Sequence, residues 1–129
     1  MVGAIFIADG KILAAQRGDG RNLAGYWEFP GGKIERGESG AQALAREVRE
    51  ELCVEIKVGD FVARSVYEYE FGIVTLDTYF CTIADGQIQL TEHHEIRWLN
   101  VNELFSVKWA PADIPIIEEL VKLLRDGKW

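Results

Sequence analysis

Residues 31–54 read GGKIERGESGAQALAREVREELCV, a glycine-rich segment followed by a run typical of a helix. Ser39 followed three residues later by Gln42 matches a capping box, which indicates the start of a helix. Leu44, Val48 and Leu52 then recur every fourth residue and form an apolar stripe. The pattern therefore predicts a helix from about Ser39 to Leu52 whose stripe packs on a core.

Three carboxylates, those of Glu47, Glu50 and Glu51, share a second face of this predicted helix. Like charges three and four residues apart destabilise a helix by roughly 0.2–0.5 kcal/mol per pair, and Arg46 relieves only part of that repulsion. One interpretation is a solvated acidic face. The other is a site for a hard cation, because Mg²⁺ and Mn²⁺ bind carboxylate oxygens, water and substrate phosphates. The residues alone leave both interpretations open.

The loop before the helix combines flexible glycines with charges of both signs. Gly31, Gly32 and Lys33 lie just upstream of a helix N-terminus, where exposed N–H groups can meet phosphate oxygens. Loop and helix together give the pattern G-x5-E-x7-R-E-U-x-E-E-x-x-U from Gly32 to Val54, where U is an apolar residue. This long, tightly spaced pattern is far more specific than a glycine-rich loop alone.

The remaining chain predicts strands and one further helix around this stretch. Runs rich in β-branched and aromatic residues, punctuated by turn residues, predict strands over residues 2–8, 11–16, 26–29, 54–58, 61–71, 73–83 and 95–99. Pro30 and the two glycines after it are expected to end the third of these strands. A helical turn over 101–105 and a helix over 114–125 complete an α/β fold in which helices cover a mixed sheet. Since no repeat or linker divides the chain, we expect one domain over residues 1–129.

Composition narrows the class of protein. With 48% hydrophobic and 27% charged residues among 129, the chain has the composition of a globular domain. Its net charge of -7 argues against binding to duplex nucleic acid. Two cysteines without CxxC spacing, a first apolar run broken by Asp9 and no stretch of about 18 apolar residues predict a cytoplasmic protein without a membrane partner.

The pattern from Gly32 to Val54 resembles the box of the Nudix hydrolases, G-x5-E-x7-R-E-U-x-E-E-x-G-U. Every fixed position matches except the last glycine, which is Cys53 in this chain. The resemblance implies an α/β/α sandwich with a mixed sheet. It also implies hydrolysis of a nucleoside diphosphate linked to another group, with Mg²⁺ or Mn²⁺ as cofactor.

The resemblance assigns roles to individual residues. Metal ligands would be Gly31, Glu47, Glu50, Glu51 and, outside the box, Glu92. The catalytic group would comprise Glu38, Arg46, Glu47 and Glu50. In it Arg46 would orient a carboxylate, and Glu38 would assist the metal or its water. The general base is left open, with Glu47 as first choice and Glu38 as second.

The likeness extends beyond the box and points to the MutT-like and CTP pyrophosphohydrolase-like branches of the family. It is carried by residues 13–17, 27–35 and 110–115. The resemblance implies that the substrate contacts come from Arg17, Phe29, Gly31, Gly32, Lys33 and Asp113. Arg17 would meet the phosphates and Phe29 would lie near the base. An ionised Asp113 accepts hydrogen bonds only, so it would favour the amino group of cytosine or the N–H groups of 8-oxoguanine.

The implied reaction converts a nucleoside triphosphate and water into a nucleoside monophosphate and diphosphate, by attack at the β phosphorus. The expected substrates are CTP, dCTP or 8-oxo-dGTP, and the expected partner is this small molecule alone. Two alternatives stay open: a Nudix hydrolase of ADP-ribose or another nucleotide sugar, and a module that senses nucleotides without turnover. Monomer and homodimer are both compatible with the sequence.

Several other residues have simpler explanations. His93 and His94 are expected in a solvated loop, and Cys81 as a small buried side chain in a strand. Asp77 must face either solvent or the pocket. Cys53 stands where the chain leaves the helix, a position where a left-handed backbone favours glycine.

Overall fold

The computed structural model describes residues 1–125, which form seven strands and two α-helices. The strands are β1 (Val2–Ala8), β2 (Lys11–Arg17), β3 (Trp27–Glu28), β4 (Gly31–Gly32), β5 (Glu55–Tyr69), β6 (Gly72–Asp85) and β7 (His93–Asn100). The helices are α1 (Gly40–Leu52) and α2 (Ile114–Arg125). Two 3-10 turns, Val101–Ser106 and Pro111–Asp113, join β7 to α2. Within residues 1–125, no helix is both long and apolar enough to span a bilayer.

The sheet is mixed, as the sequence predicts. Its order is β3-β2-β1-β6-β5, with β4 added to β1 and β7 added to β2. Strands β1 and β6 run parallel, and the other pairs are antiparallel. Strand β1 therefore holds the two halves of the sheet together.

One helix covers each face of the sheet. On one face, Leu44, Val48 and Leu52 of α1 are fully buried in a cluster with Val2 and Phe6 of β1. On the other face, residues of α2 pack in a second cluster with residues of β1 and β2. These residues are Ile116, Ile117, Leu120, Ile5 and Ile12. The α/β/α sandwich is therefore confirmed.

Local sequence signals determine both ends of α1. The Ser39 hydroxyl oxygen accepts from the Gln42 N–H at 3.1 Å, and the Gln42 side chain accepts from the Ser39 N–H at 2.9 Å. The predicted capping box is therefore confirmed. At the other end Cys53 has φ 60° and ψ 32°, and its N–H donates to the Arg49 carbonyl at 3.0 Å. The backbone of Cys53 is therefore left-handed, the conformation in which glycine is favoured.

Three strand predictions need correction. The two strands expected over 54–58 and 61–71 are one strand, β5. Strand β6 pairs with β5 along the whole length of β5, and the register of the pair shifts at Gly59 and Asp60. Strand β7 begins at His93 rather than at residue 95, since His93 pairs with Arg17 across a bulge. Gly31 and Gly32, expected only to end a strand, form β4 against β1. A Cβ at Gly31 would lie 2.0 Å from the Val2 carbonyl oxygen, so only glycine permits this approach.

Candidate active site

Arg46 connects the loop before α1 to the acidic face of that helix. Its guanidinium donates to both carboxylate oxygens of Glu38, at 2.8 and 2.9 Å, and to Glu47 Oε1 at 2.8 Å. It also donates to the Lys33 carbonyl at 3.0 Å, which fixes the loop. The hydrogen bonds from Arg46 and from the Glu35 N–H lower the pKa of Glu38 to about 2. The carboxylate of Glu38 therefore stays ionised and fully engaged.

Glu51 is the buried member of the acidic face. Glu51 is 3% exposed, and its Oε1 accepts a hydrogen bond from the Gly31 N–H at 3.3 Å. Burial, together with the nearby charges of Glu28, Glu47 and Glu92, raises the pKa of Glu51 to about 9. The charges of Glu28 in β3, Glu47 in α1 and Glu92 before β7 therefore all act on Glu51, and Glu51 itself contacts Gly31. Glu50, by contrast, keeps a side chain that is 57% exposed and lies 3.7 Å from Arg46.

The chemistry of the acidic face of α1 fits a divalent cation. Carboxylates are the ligands that Mg²⁺ and Mn²⁺ prefer, and within residues 1–125 the buried Glu51 side chain has one long hydrogen bond, from the Gly31 N–H. Gly32 leaves room beside them, because a Cβ there would stand 2.4 Å from the Glu47 carboxyl group.

The carboxylates are not gathered into a closed cage. Across residues 1–125, no three Glu, Asp, His or Cys side chains stand close enough together to enclose an ion. Glu47 is turned toward Arg46, and Glu92 bonds to Arg21 at 2.8 Å. The assignment of Glu47, Glu50, Glu51, Glu92 and Gly31 as metal ligands therefore stays a prediction.

A second charged cluster joins β2, β3 and β7. Arg17 Nη1 donates to Glu28 Oε1 at 2.6 Å, and His93 Nε2 lies 2.9 Å from Glu28 Oε2. Burial alone would raise the pKa of Glu28, but the hydrogen bonds from His93 and Arg17 outweigh it and lower the pKa. Glu28 therefore carries a charge among buried neighbours.

Sequence reasoning missed two members of this cluster, Glu28 and His93. The expectation that His93 is solvated is wrong, because its side chain is 1% exposed, whereas His94 is exposed as predicted. An acid between two aromatic residues on a short strand was a signal for Glu28. No local signal indicated the burial of His93, which depends on pairing with Arg17.

The residues expected to read the base lie toward α2. Asp113 is 5% exposed, and its Oδ1 accepts from the Phe29 N–H at 3.2 Å. The N–H of the preceding residue, Ala112, donates to the Tyr69 hydroxyl oxygen at 2.8 Å. The ring of Phe29 packs 5.0 Å from that of Trp109 in the core, which leaves little of it for a base.

Asp113 differs from our expectation of an ionised carboxylate. Burial, reinforced by the charge of Glu28, raises the pKa of Asp113 well above its ordinary value. Its carboxyl group therefore holds a proton more readily than a solvated one, and a protonated carboxyl donates as well as accepts. The exclusive acceptor role that we assigned to it does not follow.

Two remaining predictions concern residues outside these clusters. Asp77 forms a two-bond ion pair with Arg64, at 2.6 and 3.0 Å, near the surface of the β5–β6 pair. Cys81 is buried in β6, as predicted.

The chain is similar in sequence and in fold to known nucleotide hydrolases. The CTP pyrophosphohydrolase of Escherichia coli K12 is 43% identical over 123 residues, which cover 95% of this chain and 91% of that protein. The 8-oxo-dGTP diphosphatase of the same strain is 30% identical over 95% of both chains. A solution structure of a MutT protein of the Nudix hydrolase family from Staphylococcus aureus has a TM-score of 0.75 and 50% identity, covering 94% of this chain and 93% of that one.

The family profile covers the site and nearly all of the fold. The profile described as NUDIX domain matches residues 1–120, from the first strand well into α2. The resemblance based on the box from Gly32 to Val54 is thereby confirmed, and the chain belongs to the NUDIX domain family.

Proposed function

We propose that the protein is a Nudix hydrolase that converts a nucleoside triphosphate and water into a nucleoside monophosphate and diphosphate. The observation that carries the proposal is the acidic face of α1 against the two glycines of β4, where Glu51 accepts from the Gly31 N–H at 3.3 Å and the Glu47 carboxyl group lies beside Gly32. The names of the E. coli relatives, a CTP pyrophosphohydrolase and an 8-oxo-dGTP diphosphatase, support CTP, dCTP or oxidised guanine nucleotides as substrates.

Mg²⁺, with Mn²⁺ as a possible substitute, is the cofactor in this proposal. Glu47, Glu50 and Glu51 would hold it, with the Gly31 carbonyl and Glu92 as further ligands. Such an ion, when bound, neutralises phosphate charge and lowers the pKa of a bound water. Glu92 would first have to leave Arg21, with which it now pairs at the surface.

The phosphates would meet Arg17 and Lys33 beside the two glycines of β4. The guanidinium of Arg17 is held at Nε and Nη1, and Lys33 is exposed. The Gly31 N–H donates to Glu51, and Gly32 lies beside the Glu47 carboxyl group. Positive groups here would stabilise the charge that develops on the phosphates during attack.

Glu47 is the general base that the geometry favours. A group with a pKa of about 2, such as Glu38, binds a proton too weakly to accept one from water near neutral pH. Both oxygens of Glu38 are also occupied by Arg46. In this proposal Glu38 and Arg46 position Glu47, which takes the proton.

The proposal further includes a single domain over residues 1–129 that works in the cytoplasm on free nucleotides, without nucleic acid or membrane partners. Its last four residues lie outside the described part of the chain. Monomer and homodimer remain two forms that sedimentation would distinguish.

The test incubates the purified protein and Mg²⁺ with CTP, dCTP, UTP, 8-oxo-dGTP and ADP-ribose, and separates the products by ion exchange. We expect monophosphate and diphosphate from CTP, dCTP or 8-oxo-dGTP. In ¹⁸O-labelled water, attack at the β phosphorus places the label in diphosphate. Exclusive cleavage of ADP-ribose would replace this substrate class, and tight binding without turnover of any compound would indicate a nucleotide sensor.

A further inference from the structure

His93 occupies a position that an apolar side chain would fill more cheaply. Its imidazole is 1% exposed, yet Nδ1 has no hydrogen-bond partner within residues 1–125. An unpaired buried polar atom destabilises a fold. Filling space therefore does not explain a histidine at this position, whereas the bond that its other nitrogen makes does.

That bond satisfies one half of the Glu28 carboxylate. An ionised carboxylate only accepts hydrogen bonds, so Nε2 of His93 carries the hydrogen in its 2.9 Å contact with Glu28 Oε2. Arg17 takes the other oxygen, Oε1, through a single nitrogen, Nη1, at 2.6 Å. The two donors thus divide the carboxylate between them.

Because Arg17 binds only one oxygen of Glu28, part of its guanidinium is available to bind another group. Nε donates to the Asn22 carbonyl at 2.6 Å and Nη1 donates to Glu28, while Nη2 has no hydrogen-bond partner in the described part of the chain. Arginine and carboxylate pair most strongly through two parallel bonds. If Oε2 of Glu28 were vacant, Arg17 would turn to bind both oxygens and withdraw its free nitrogen.

We propose that His93 is a positioning residue: by occupying Glu28 Oε2, it restricts Arg17 to one bond with Glu28 and keeps Nη2 of Arg17 free for a substrate phosphate. The proposal rests on the nucleotide hydrolysis proposed above. His93 touches no substrate in this scheme and acts only through Glu28 and Arg17. Its loss should therefore weaken nucleotide binding more than it slows the chemical step.

The test compares kcat and KM for CTP in the parent with three variants at position 93 and one neighbouring control. His93→Leu and His93→Asn lose the bond to Glu28, and KM should rise about 10-fold, the effect of one charge-assisted hydrogen bond, with a smaller change in kcat. His93→Gln places its amide nitrogen near the position of Nε2 and should restore KM to within about threefold of the parent. His94→Gln, at the exposed neighbour, should match the parent.

A double-mutant cycle separates this role from a purely structural one. In an Arg17→Lys background, where no guanidinium remains to be positioned, His93→Leu should change KM by less than about twofold. The same increase in both backgrounds would overturn the proposal, as would a parental KM in a folded His93→Leu. If His93→Leu does not fold, equal KM values for the Asn and Gln variants overturn it. Absence of turnover in the parent itself would instead overturn the proposed function.

Discussion

Cys53 has a backbone conformation that is unfavourable for a residue with a Cβ. Its φ of 60° lies in the left-handed region, which costs a residue with a Cβ about 1 kcal/mol relative to glycine. The thiol is exposed, so its removal sacrifices little packing. This is also the position where the chain departs from the Nudix box.

Cys53→Gly should therefore raise the free energy of unfolding by about 0.5–1 kcal/mol, since glycine's extra freedom in the unfolded chain offsets part of the gain. Urea titration of the parent, Cys53→Gly and Cys53→Ala would measure this change. Alanine keeps the Cβ and should give no such gain. A clearly less stable Cys53→Gly would show that the sulfur contributes packing that the geometry does not reveal.

Asp113 is the residue that we expect to contact the base. Burial raises its pKa, so its carboxyl group is protonated more readily than a solvated one, and in that form it offers a donor and an acceptor as an amide does. Asp113→Asn should then keep the ratio of kcat/KM for CTP over UTP within about threefold of the parent. Asp113→Leu, which leaves the Phe29 N–H and the base unpaired, should lower kcat/KM about 5- to 150-fold. Parental values for Asp113→Leu would remove Asp113 from the base site.

At the scale of elements, β4 and α1 approach each other too closely for any side chain at Gly32. A Cβ there would meet the Glu47 carboxyl group at 2.4 Å, and the flexible end of that side chain would have to move. Gly32→Ala should therefore change stability by no more than about 1 kcal/mol yet reduce kcat/KM about 10-fold or more, since it displaces Glu47, the proposed general base. Melting temperature and CTP hydrolysis would be measured on the same samples.

Gly40→Ala provides the matched control for that variant. Its new Cβ, at the first residue of α1, would have the Tyr79 hydroxyl at 3.2 Å as its nearest neighbour, away from the acidic face. Hydrolysis by Gly40→Ala should stay near the parental rate. Equal losses in both variants would mean that added bulk, rather than displacement of Glu47, lowers the rate.

The elements also show which parts of the fold can be predicted from sequence. Helix α1 follows from local signals, because its cap and its apolar stripe lie within fourteen residues of each other. Strand β4 could not be foreseen, since two glycines become a strand only through their approach to Val2. The single strand β5 depends in the same way on a distant partner, β6, that continues pairing past Gly59.

The candidate site also has parts that local sequence predicts and parts that depend on distant residues. The box, with Glu38, Arg46 and the acidic helix face, is contiguous in sequence and could be identified directly. His93 is buried against Glu28, a residue 65 positions away in the sequence, so no local pattern predicts this contact. The raised pKa of Asp113 likewise depends on what the fold places around it.

At the scale of the whole molecule, the two cysteines report on folding. Cys53 is exposed, whereas burial raises the pKa of Cys81 to about 12 and shields its sulfur. Because the thiolate is the reactive form, a thiol reagent at pH 8 should label one cysteine in the native protein and two in denaturant. Mass spectrometry would identify the native site as Cys53. Rapid labelling of Cys81 in the native protein would contradict the packing of β6 against α1.

In the proposed function, hydrolysis depends on a divalent ion held by the acidic face of α1. Glu51→Gln keeps the size of this buried side chain but replaces a carboxyl group, which can ionise to bind a cation, by an amide, which cannot. Glu55→Gln makes the same change at an exposed residue that pairs with Arg49. The deciding measurement is the Mg²⁺-dependent rate of CTP hydrolysis, or of the best substrate in the panel, by the parent and both variants. We expect a loss of about 100-fold or more for Glu51→Gln with its fold intact, and a parental rate for Glu55→Gln. An unchanged Mg²⁺-dependent rate in folded Glu51→Gln would show that Glu51 does not hold the ion.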